Sequence, residues 1–196
     1  MLPDPIKKFV QVFSSLPSIG PRQATRLAFY LLGLGRGQIT EVAKTVADLT
    51  QLKTCPECFN VYGGGNPLCA VCSHPGRRRD LLMIVEKETD LMSLEKTKKF
   101  YGRYLILGTL DKSGLLEQAQ KLKLRTLARR GPFAEIIVAV NPTIYGDLSC
   151  EAIFQEIKNA AGHTPKITRL GRGLPTGGEI EFADEETLGS ALDNRG

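Results

Sequence analysis

Four cysteines in the middle of the chain have a spacing that suits a metal ion. They form two pairs, Cys55-Pro-Glu-Cys58 and Cys69-Ala-Val-Cys72, separated by ten residues. Two such pairs can place four thiolates around one Zn²⁺, and four thiolates leave no open position for water. The spacing therefore predicts one structural zinc ion per chain, with unligated or redox-active cysteines as the alternative. Cys150 lies outside the pattern and is expected to be a small buried side chain.

A glycine-bearing turn near the N-terminus is typical of a phosphate-binding hairpin. The segment reads Leu16-Pro-Ser-Ile-Gly-Pro-Arg-Gln-Ala-Thr-Arg26, and Pro21 suits the first turn of a new helix. Arg22 and Arg26 would lie on one face of that helix, beside the N-terminal N–H groups that favour anions. Such a helix-hairpin-helix holds a nucleic-acid backbone without reading bases. An ordinary helical hairpin with exposed arginines is the alternative.

Acidic and amide side chains follow two of the predicted strands. Glu86 follows one strand, and Asn141 and Asp147 lie in the segment after another. The carboxyl ends of parallel strands form the ligand-binding edge of an open sheet, where carboxylates could hold Mg²⁺. A two-metal site needs several carboxylates, and this edge offers two. We therefore expect a degenerate site, with a catalytic one as the alternative.

Two further basic segments are candidates for contact with phosphate. One is the run Arg77–Arg79 beside the cysteines, and the other is the dense basic stretch 121–130. A solvated, charged surface is an equally good interpretation of either segment.

The elements that position these residues follow from hydrophobic periodicity. The first fifty residues read as three helices, the second ended by Gly33, Gly35 and Gly37 and the third capped by Thr40. Short apolar runs then alternate with helical segments, which predicts a parallel sheet covered on both faces. The predicted strands are Leu81–Val85, Tyr104–Leu107, Ile136–Val140 and Ile167–Leu170. The predicted helices are Glu88–Lys99, Gly114–Arg130, Leu148–Ala161 and one after Asp184.

Charge is segregated along the 196 residues, although the net charge is only +5. Residues 1–82 hold ten basic and five acidic side chains, residues 83–130 eleven and six, and residues 131–196 five and ten. This distribution indicates a polyanionic partner for the first 130 residues and protein contacts for the last third. No apolar run is long enough for a membrane span, and no secretory signal is present, so a cytoplasmic location is expected.

Taken together, the order of these parts resembles the RecR family of bacterial recombination mediator proteins, over nearly the whole chain. The motifs that match are Leu16-Pro-Ser-Ile-Gly-Pro-Arg22, Arg26-Leu-Ala-Phe29, the four cysteines, Val85-Glu86, Gly102-Arg-Tyr104, Asn141-Pro-Thr143, Arg172-Gly-Leu-Pro-Thr-Gly-Gly-Glu179 and the stretch 182–192.

The resemblance implies an α+β multidomain fold with four parts. These are a helix-hairpin-helix domain (1–53), a four-cysteine zinc finger (54–80), a Toprim-type α/β domain with a parallel sheet (81–170) and a short C-terminal segment (171–196). It implies a non-enzymatic DNA-binding clamp and recombination mediator of the RecF pathway, assembled as homodimers or ring-like homotetramers. Such a protein binds single- and double-stranded DNA and acts with RecO and RecF to promote RecA loading at single-stranded gaps. No membrane and no small-molecule substrate are expected. The DNA-binding positions of the family fall on Arg22 and Arg26.

Several residues depart from the family pattern. Ser18 replaces a glycine of the hairpin, where a left-handed backbone would cost about 1 kcal/mol. The loop 108–114 is short, and Tyr145 stands where the family commonly has glutamate. Catalytic Toprim enzymes have aspartate at the positions of Asn141 and Thr143. Glu86, Asn141 and Asp147 are therefore expected to form a degenerate Toprim acidic site or a partner-binding face.

Two rival functions remain open from the sequence. One is a Toprim nucleotidyl transferase or nuclease that binds Mg²⁺ between Glu86 and Asp147. The other is a zinc-containing adaptor that binds only proteins.

Overall fold

The computed structural model describes residues 2–160 and 165–195. The chain divides into two compact units, Met1–Leu52 and Lys53–Gly196. The first is helical and the second contains a parallel sheet with helices, so the predicted α+β organisation is confirmed. No helix of the described residues is long and apolar enough to cross a membrane.

The first unit consists of three helices, as the periodicity predicts. They are α1 (Asp4–Phe13), α2 (Pro21–Leu34) and α3 (Arg36–Asp48), followed by a 3-10 turn at Leu49–Gln51. Helix α2 packs against both α1 and α3. Pro21 occupies the first turn of α2, where its missing N–H costs nothing.

The link between α2 and α3 differs from the prediction. Thr40 does not cap the third helix, because α3 already begins at Arg36 and the Thr40 hydroxyl donates to the Arg36 carbonyl at 3.0 Å. Gly35 alone joins the two helices, with φ of 85°. Glycine adopts this left-handed backbone at little cost, so a one-residue link suffices. Gly37 consequently lies inside α3 rather than after α2.

Ser18 lies in the hairpin between α1 and α2 with φ of 63°. A left-handed backbone at a residue with a Cβ costs about 1 kcal/mol, which a glycine would avoid. The strain expected from the serine is therefore present in the folded hairpin.

The second unit begins with a small antiparallel ribbon, followed by the main sheet. The ribbon pairs β1 (Lys53–Thr54) with β2 (Val61–Tyr62), and the short helix α4 (Ala70–Ser73) follows. The main sheet has four parallel strands in the order β4-β3-β5-β6. Its strands are β3 (Leu81–Val85), β4 (Arg103–Ile106), β5 (Glu135–Ala139) and β6 (Lys166–Arg169). Each lies within one residue of its predicted range, and the predicted parallel pairing is confirmed.

Helices connect the strands, with boundaries that differ from those predicted. They are α5 (Glu88–Lys96), α6 (Gln118–Ala128) and α7 (Ile144–Ala160). Helix α5 ends before Lys98, whose φ of 54° cannot continue a helix. Helix α6 begins later than predicted, because the Gln120 side chain accepts from the Glu117 backbone N–H and defines the first turn there. Ala161, the predicted last residue of the helix that corresponds to α7, lies outside the described residues.

Side chains from both faces of the sheet are buried, as a parallel sheet requires. One face packs Leu82, Ile84 and Ile136 against α6 and α7, and the other packs Met83 and Val85 against α5. The C-terminal segment then forms a 3-10 turn (Ile180–Phe182) and helix α8 (Glu185–Asp193). Asp184 caps α8 by accepting from the Thr187 N–H at 2.8 Å, which confirms the predicted cap.

Candidate functional site

The hairpin arginines are exposed at the start of α2. Neither Arg22 nor Arg26 has a hydrogen bond or ion pair with any residue that the structure describes. Helix α2 has no side-chain cap and no acidic residue in its first turn. Its positive dipole end and both guanidiniums are therefore available to one external anion. This arrangement can bind phosphate, which is the chemistry expected of these two residues.

The four cysteines of the two pairs converge in the second unit. Their sulfur atoms all lie within 4.8 Å of one another, and those of Cys58 and Cys69 are 3.5 Å apart. A tetrahedral zinc site with Zn–S bonds of about 2.3 Å holds its sulfurs about 3.8 Å apart. Cys55, Cys58 and Cys69 are buried and Cys72 is half-buried. The cluster is thus a buried metal-binding site whose donors fit zinc.

Two local turns place these sulfurs. After β1, the Cys55 N–H donates to the Asn60 carbonyl, and the Phe59 N–H donates back to the Cys55 carbonyl at 2.9 Å. Phe59 has φ of 63°, so the first pair is closed by a left-handed residue. The second pair spans the start of α4, where the Ser73 N–H donates to the Cys69 carbonyl. A turn within each pair explains why two residues separate the cysteines.

Burial and contacts between the thiols shift the pKa values of three of the cysteines in opposite directions. A hydrogen bond from the Cys72 thiol lowers the pKa of Cys58 to about 6. The same hydrogen bond is the main cause of a raised pKa at Cys72, and burial raises the pKa of Cys69 to about 11. Repulsion between neighbouring sulfurs opposes a second negative charge. A divalent cation would compensate several thiolates at once, so the cluster suits a metal ion better than free thiols.

Glu86 and Asn141 meet at the carboxyl ends of the strands. Glu86 is buried, with 7% of its surface exposed. One carboxylate oxygen accepts from the Asn141 side-chain amide at 3.1 Å, and the other accepts from the Leu110 backbone N–H at 3.3 Å. Lys87 lies 3.6 Å from the same carboxylate. Glu86 is therefore already engaged by protein donors.

Asp147 has different partners, which the sequence did not predict. It accepts hydrogen bonds from Arg169 at 2.6 Å and from Arg172, and Arg172 also pairs with Glu186 of α8. The Arg169 guanidinium holds the pKa of Asp147 below its usual range. These contacts connect the first turn of α7 to the C-terminal segment. The signal that could have identified them was the pair of arginines flanking the predicted end of the fourth strand.

The first turn of α7 requires a glycine. A Cβ at Gly146 would lie 2.0 Å from the Asn141 carbonyl oxygen, closer than atoms can approach. The first turn of α7 therefore lies close to the backbone that follows β5. The helix begins at Ile144, earlier than predicted.

The two carboxylates at the carboxyl ends of the strands, Glu86 and Asp147, are each held by other side chains. Within residues 2–160 and 165–195, the cysteines form the only group of three or more His, Cys, Asp or Glu side chains placed to hold an ion. Hydrogen bonds to amides and guanidiniums occupy Glu86 and Asp147 instead.

Family models match three consecutive parts of the chain. Residues 6–50 match the model "RecR, helix-hairpin-helix", residues 80–170 match "Toprim domain", and residues 173–195 match "RecR, C-terminal". The matched ranges contain the hairpin arginines, the parallel sheet and the C-terminal helix in turn.

The matches to curated relatives cover almost the full length of this chain. The chain is 36% identical to "Recombination protein RecR" of Clostridium perfringens, covering 98% of this chain and 96% of the relative. It is 35% identical to the protein of that name in Chloroflexus aurantiacus, over 97% and 93% of the two chains. For Lactococcus lactis the values are 36% identity over 98% and 97%. The chain therefore belongs to the RecR family of recombination proteins.

Proposed function

We propose that this chain is a non-enzymatic DNA clamp and recombination mediator. The observation that carries the proposal is the pair of exposed arginines at the start of α2, which have no partner among the described residues and lie within the part that matches the RecR helix-hairpin-helix model. Arg22 and Arg26 would bind phosphates of single- or double-stranded DNA. Contacts of this kind depend on charge and not on sequence, as a protein acting at any gap requires.

One structural zinc ion per chain belongs to the proposal. Cys55, Cys58, Cys69 and Cys72 would supply four thiolates, and the metal would hold β1, β2 and α4 in place. This segment has little apolar core besides the cysteines themselves. Zinc binding would therefore contribute directly to the folding of residues 53–80.

Self-association into dimers or tetramers is supported by apolar surface on the first unit. Only Ile6, Ala24 and Ala28 are buried among its described residues. Phe29, Tyr30 and Leu32 are each more than half exposed. A second copy could cover these side chains, and several protomers would combine weak phosphate contacts into a stable grip on DNA.

The sheet edge with Glu86, Asn141 and Asp147 is the proposed partner face. The exposed side chains of Ile144, Tyr145 and Leu148 lie in the same part of the chain and add apolar contact area. RecO and RecF are the proposed partners, with RecA loading at single-stranded gaps in the cytoplasm as the outcome. No small-molecule substrate is part of this function.

Size-exclusion chromatography with light scattering, with and without gapped DNA, tests the clamp. We expect a mass that is a multiple of the 21.5 kDa chain, and a larger complex when DNA is added. Encirclement needs several protomers, so a lone monomer under all conditions would exclude a ring.

We also expect labelled DNA to stay intact when it is incubated with the protein and Mg²⁺ or Mn²⁺. Glu86 and Asp147 are engaged by Asn141 and by arginines, so they offer no assembled metal site. A denaturing gel after incubation measures this directly. Cleavage that disappears in Glu86→Gln would establish the nuclease alternative instead.

A further inference from the structure

One cavity of the second unit collects cations from three separate stretches of the chain. Arg79, Arg103 and Arg130 line a cleft of about 280 Å³ beside Cys72. Arg79 ends the run Arg77–Arg79, Arg130 ends the basic stretch 121–130, and Arg103 begins β4. We call this cavity the basic cleft. Two basic segments that are far apart in sequence therefore meet at one site.

Most cations of the first segment are neutralised, but the one in the cleft is not. Arg77 pairs with Glu95, and Arg78 pairs with Asp80 at 2.8 Å. Arg79 has no hydrogen bond or ion pair with the described part of the chain. The residue of the run that lacks a partner is the residue that lines the basic cleft.

The second segment is only partly neutralised, and Arg129, which lies outside the cleft, also has no ion pair with the described residues. Arg125 pairs with Glu156 at 2.8 Å, and Lys123 donates to two backbone carbonyls at the end of β4. Arg130 donates to the Pro56 carbonyl, a neutral acceptor 3.5 Å away. The charge of Arg130 thus has no acidic partner among the residues described.

One acidic side chain lines the cleft, so positive charge predominates. Glu57 lies 3.4 Å from Arg103, and this pair is internally balanced. The guanidiniums of Arg79 and Arg130 have no acidic partner in the part of the chain that the structure describes. Apolar side chains form much of the wall, and low-dielectric walls strengthen the field that a bound anion experiences. These wall residues are Leu82, Tyr104, Leu127 and Phe133.

We propose that the basic cleft binds a phosphate group. Guanidinium groups are planar and donate in pairs to phosphate oxygens, which makes arginine well suited to this anion. The volume falls just below the range of about 300–1,000 Å³ typical for drug-sized ligands, so it suits one phosphate with part of its sugar. We assign the DNA backbone as the source of this phosphate group, and that assignment rests on the proposed function. The inference that the cleft binds phosphate does not depend on it.

The basic cleft lies away from the edge of the sheet that is the proposed partner face. Arg103 begins β4 and Arg79 lies two residues before β3, so the cleft is at the amino ends of the strands. Glu86 and Asn141 follow the carboxyl ends of β3 and β5. The basic cleft and the edge with Glu86 therefore lie at opposite ends of the strands, so DNA in the cleft and a protein partner at that edge would not compete for one surface.

The test compares Arg79→Gln/Arg130→Gln with Arg129→Gln/Lys158→Gln in the full chain. Both variants lose two positive charges, but Arg129 and Lys158 do not line the cleft. We expect the cleft variant to bind labelled duplex DNA about a hundredfold more weakly, because it loses two charge-assisted contacts worth about tenfold each. Its plot of log affinity against log salt should be shallower by about one. Fluorescence anisotropy measures both quantities.

A second arm uses inorganic phosphate, observed by ³¹P line broadening, on the same proteins. If the cleft variant no longer broadens the ³¹P signal but keeps its DNA affinity, the phosphate site is supported, and its ligand is free phosphate and not DNA. Unchanged behaviour toward both probes, or an equal loss in the control variant, would overturn the inference. Arg79→Gln alone breaks no contact in the described chain and gives the same answer if the double variant misfolds.

The two arms separate this inference from the proposed function. If the unmodified chain fails to bind DNA, the clamp is wrong, and the ³¹P experiment still decides the phosphate site. If DNA binding depends on Arg22 and Arg26 while the cleft variant is normal in both arms, only the cleft is wrong.

Discussion

Reversing the two hairpin charges, Arg22→Glu with Arg26→Glu, is expected to abolish DNA binding and to leave folding and zinc content intact. Both side chains are exposed and make no hydrogen bond or ion pair with the described residues, so their loss removes no internal polar interaction. Each charge-assisted phosphate contact is worth about tenfold or more in affinity, so the pair should cost at least about a hundredfold. Charge reversal adds repulsion, and several protomers multiply the loss.

Fluorescence anisotropy with single- and double-stranded DNA at low salt measures this effect. Binding by the unmodified chain should weaken steeply as salt rises, since released counterions drive it. The matched control is Arg36→Glu with Lys44→Glu, two other exposed cations of the same unit. Equal losses of DNA affinity in both variants would show that the hairpin arginines act only as general surface charge. Unchanged affinity in the hairpin variant would favour an adaptor that binds only proteins.

Loss of the metal is expected to have the second large effect. Cys58→Ser should reduce the zinc content from one ion per chain to a small fraction and should unfold residues 53–80. Structural zinc in small domains contributes about 10–16 kcal/mol of apparent binding free energy, and one missing thiolate removes much of it. Chelation of the unmodified chain should produce the same unfolding. Elemental analysis and thermal denaturation measure the two quantities.

Cys150→Ala is the matched control for this experiment. Cys150 is buried on α7, outside the cluster, and burial raises the pKa of its thiol. Its replacement removes a sulfur without removing a metal ligand, so zinc content should stay at one per chain. Normal folding of metal-free protein would contradict a structural role for the ion.

The cysteine cluster and the strands could be predicted because their signals are local. Two residues between paired cysteines permit one tight turn each, and that spacing is visible in any sequence. Leu81–Val85 is buried on both sides of the sheet and reads as a continuous apolar run, so its range was predicted correctly. A strand that is buried on both faces reads as a continuous run of apolar residues, so its range is easy to recognise in the sequence.

The remaining features depend on contacts between distant residues or on backbone conformation. Thr40 looked like a cap because its residue type is favoured there, but the backbone of Gly35 determined where α3 begins. Asp147 looked like a free carboxylate because Arg169 and Arg172 lie more than twenty residues away. The basic cleft needs three arginines brought together by the sheet, which no single sequence window contains.

The pairing of Asp147 with arginines has a consequence for how the sheet edge responds to its surroundings. In catalytic enzymes with this sheet, a metal ion neutralises the carboxylates, and such an ion exchanges with solvent. Here the neutralising groups are Arg169 and Arg172, which belong to the chain and cannot be removed by a chelator. The charge of Asp147 is therefore balanced as soon as the chain folds, by groups that are part of the fold itself.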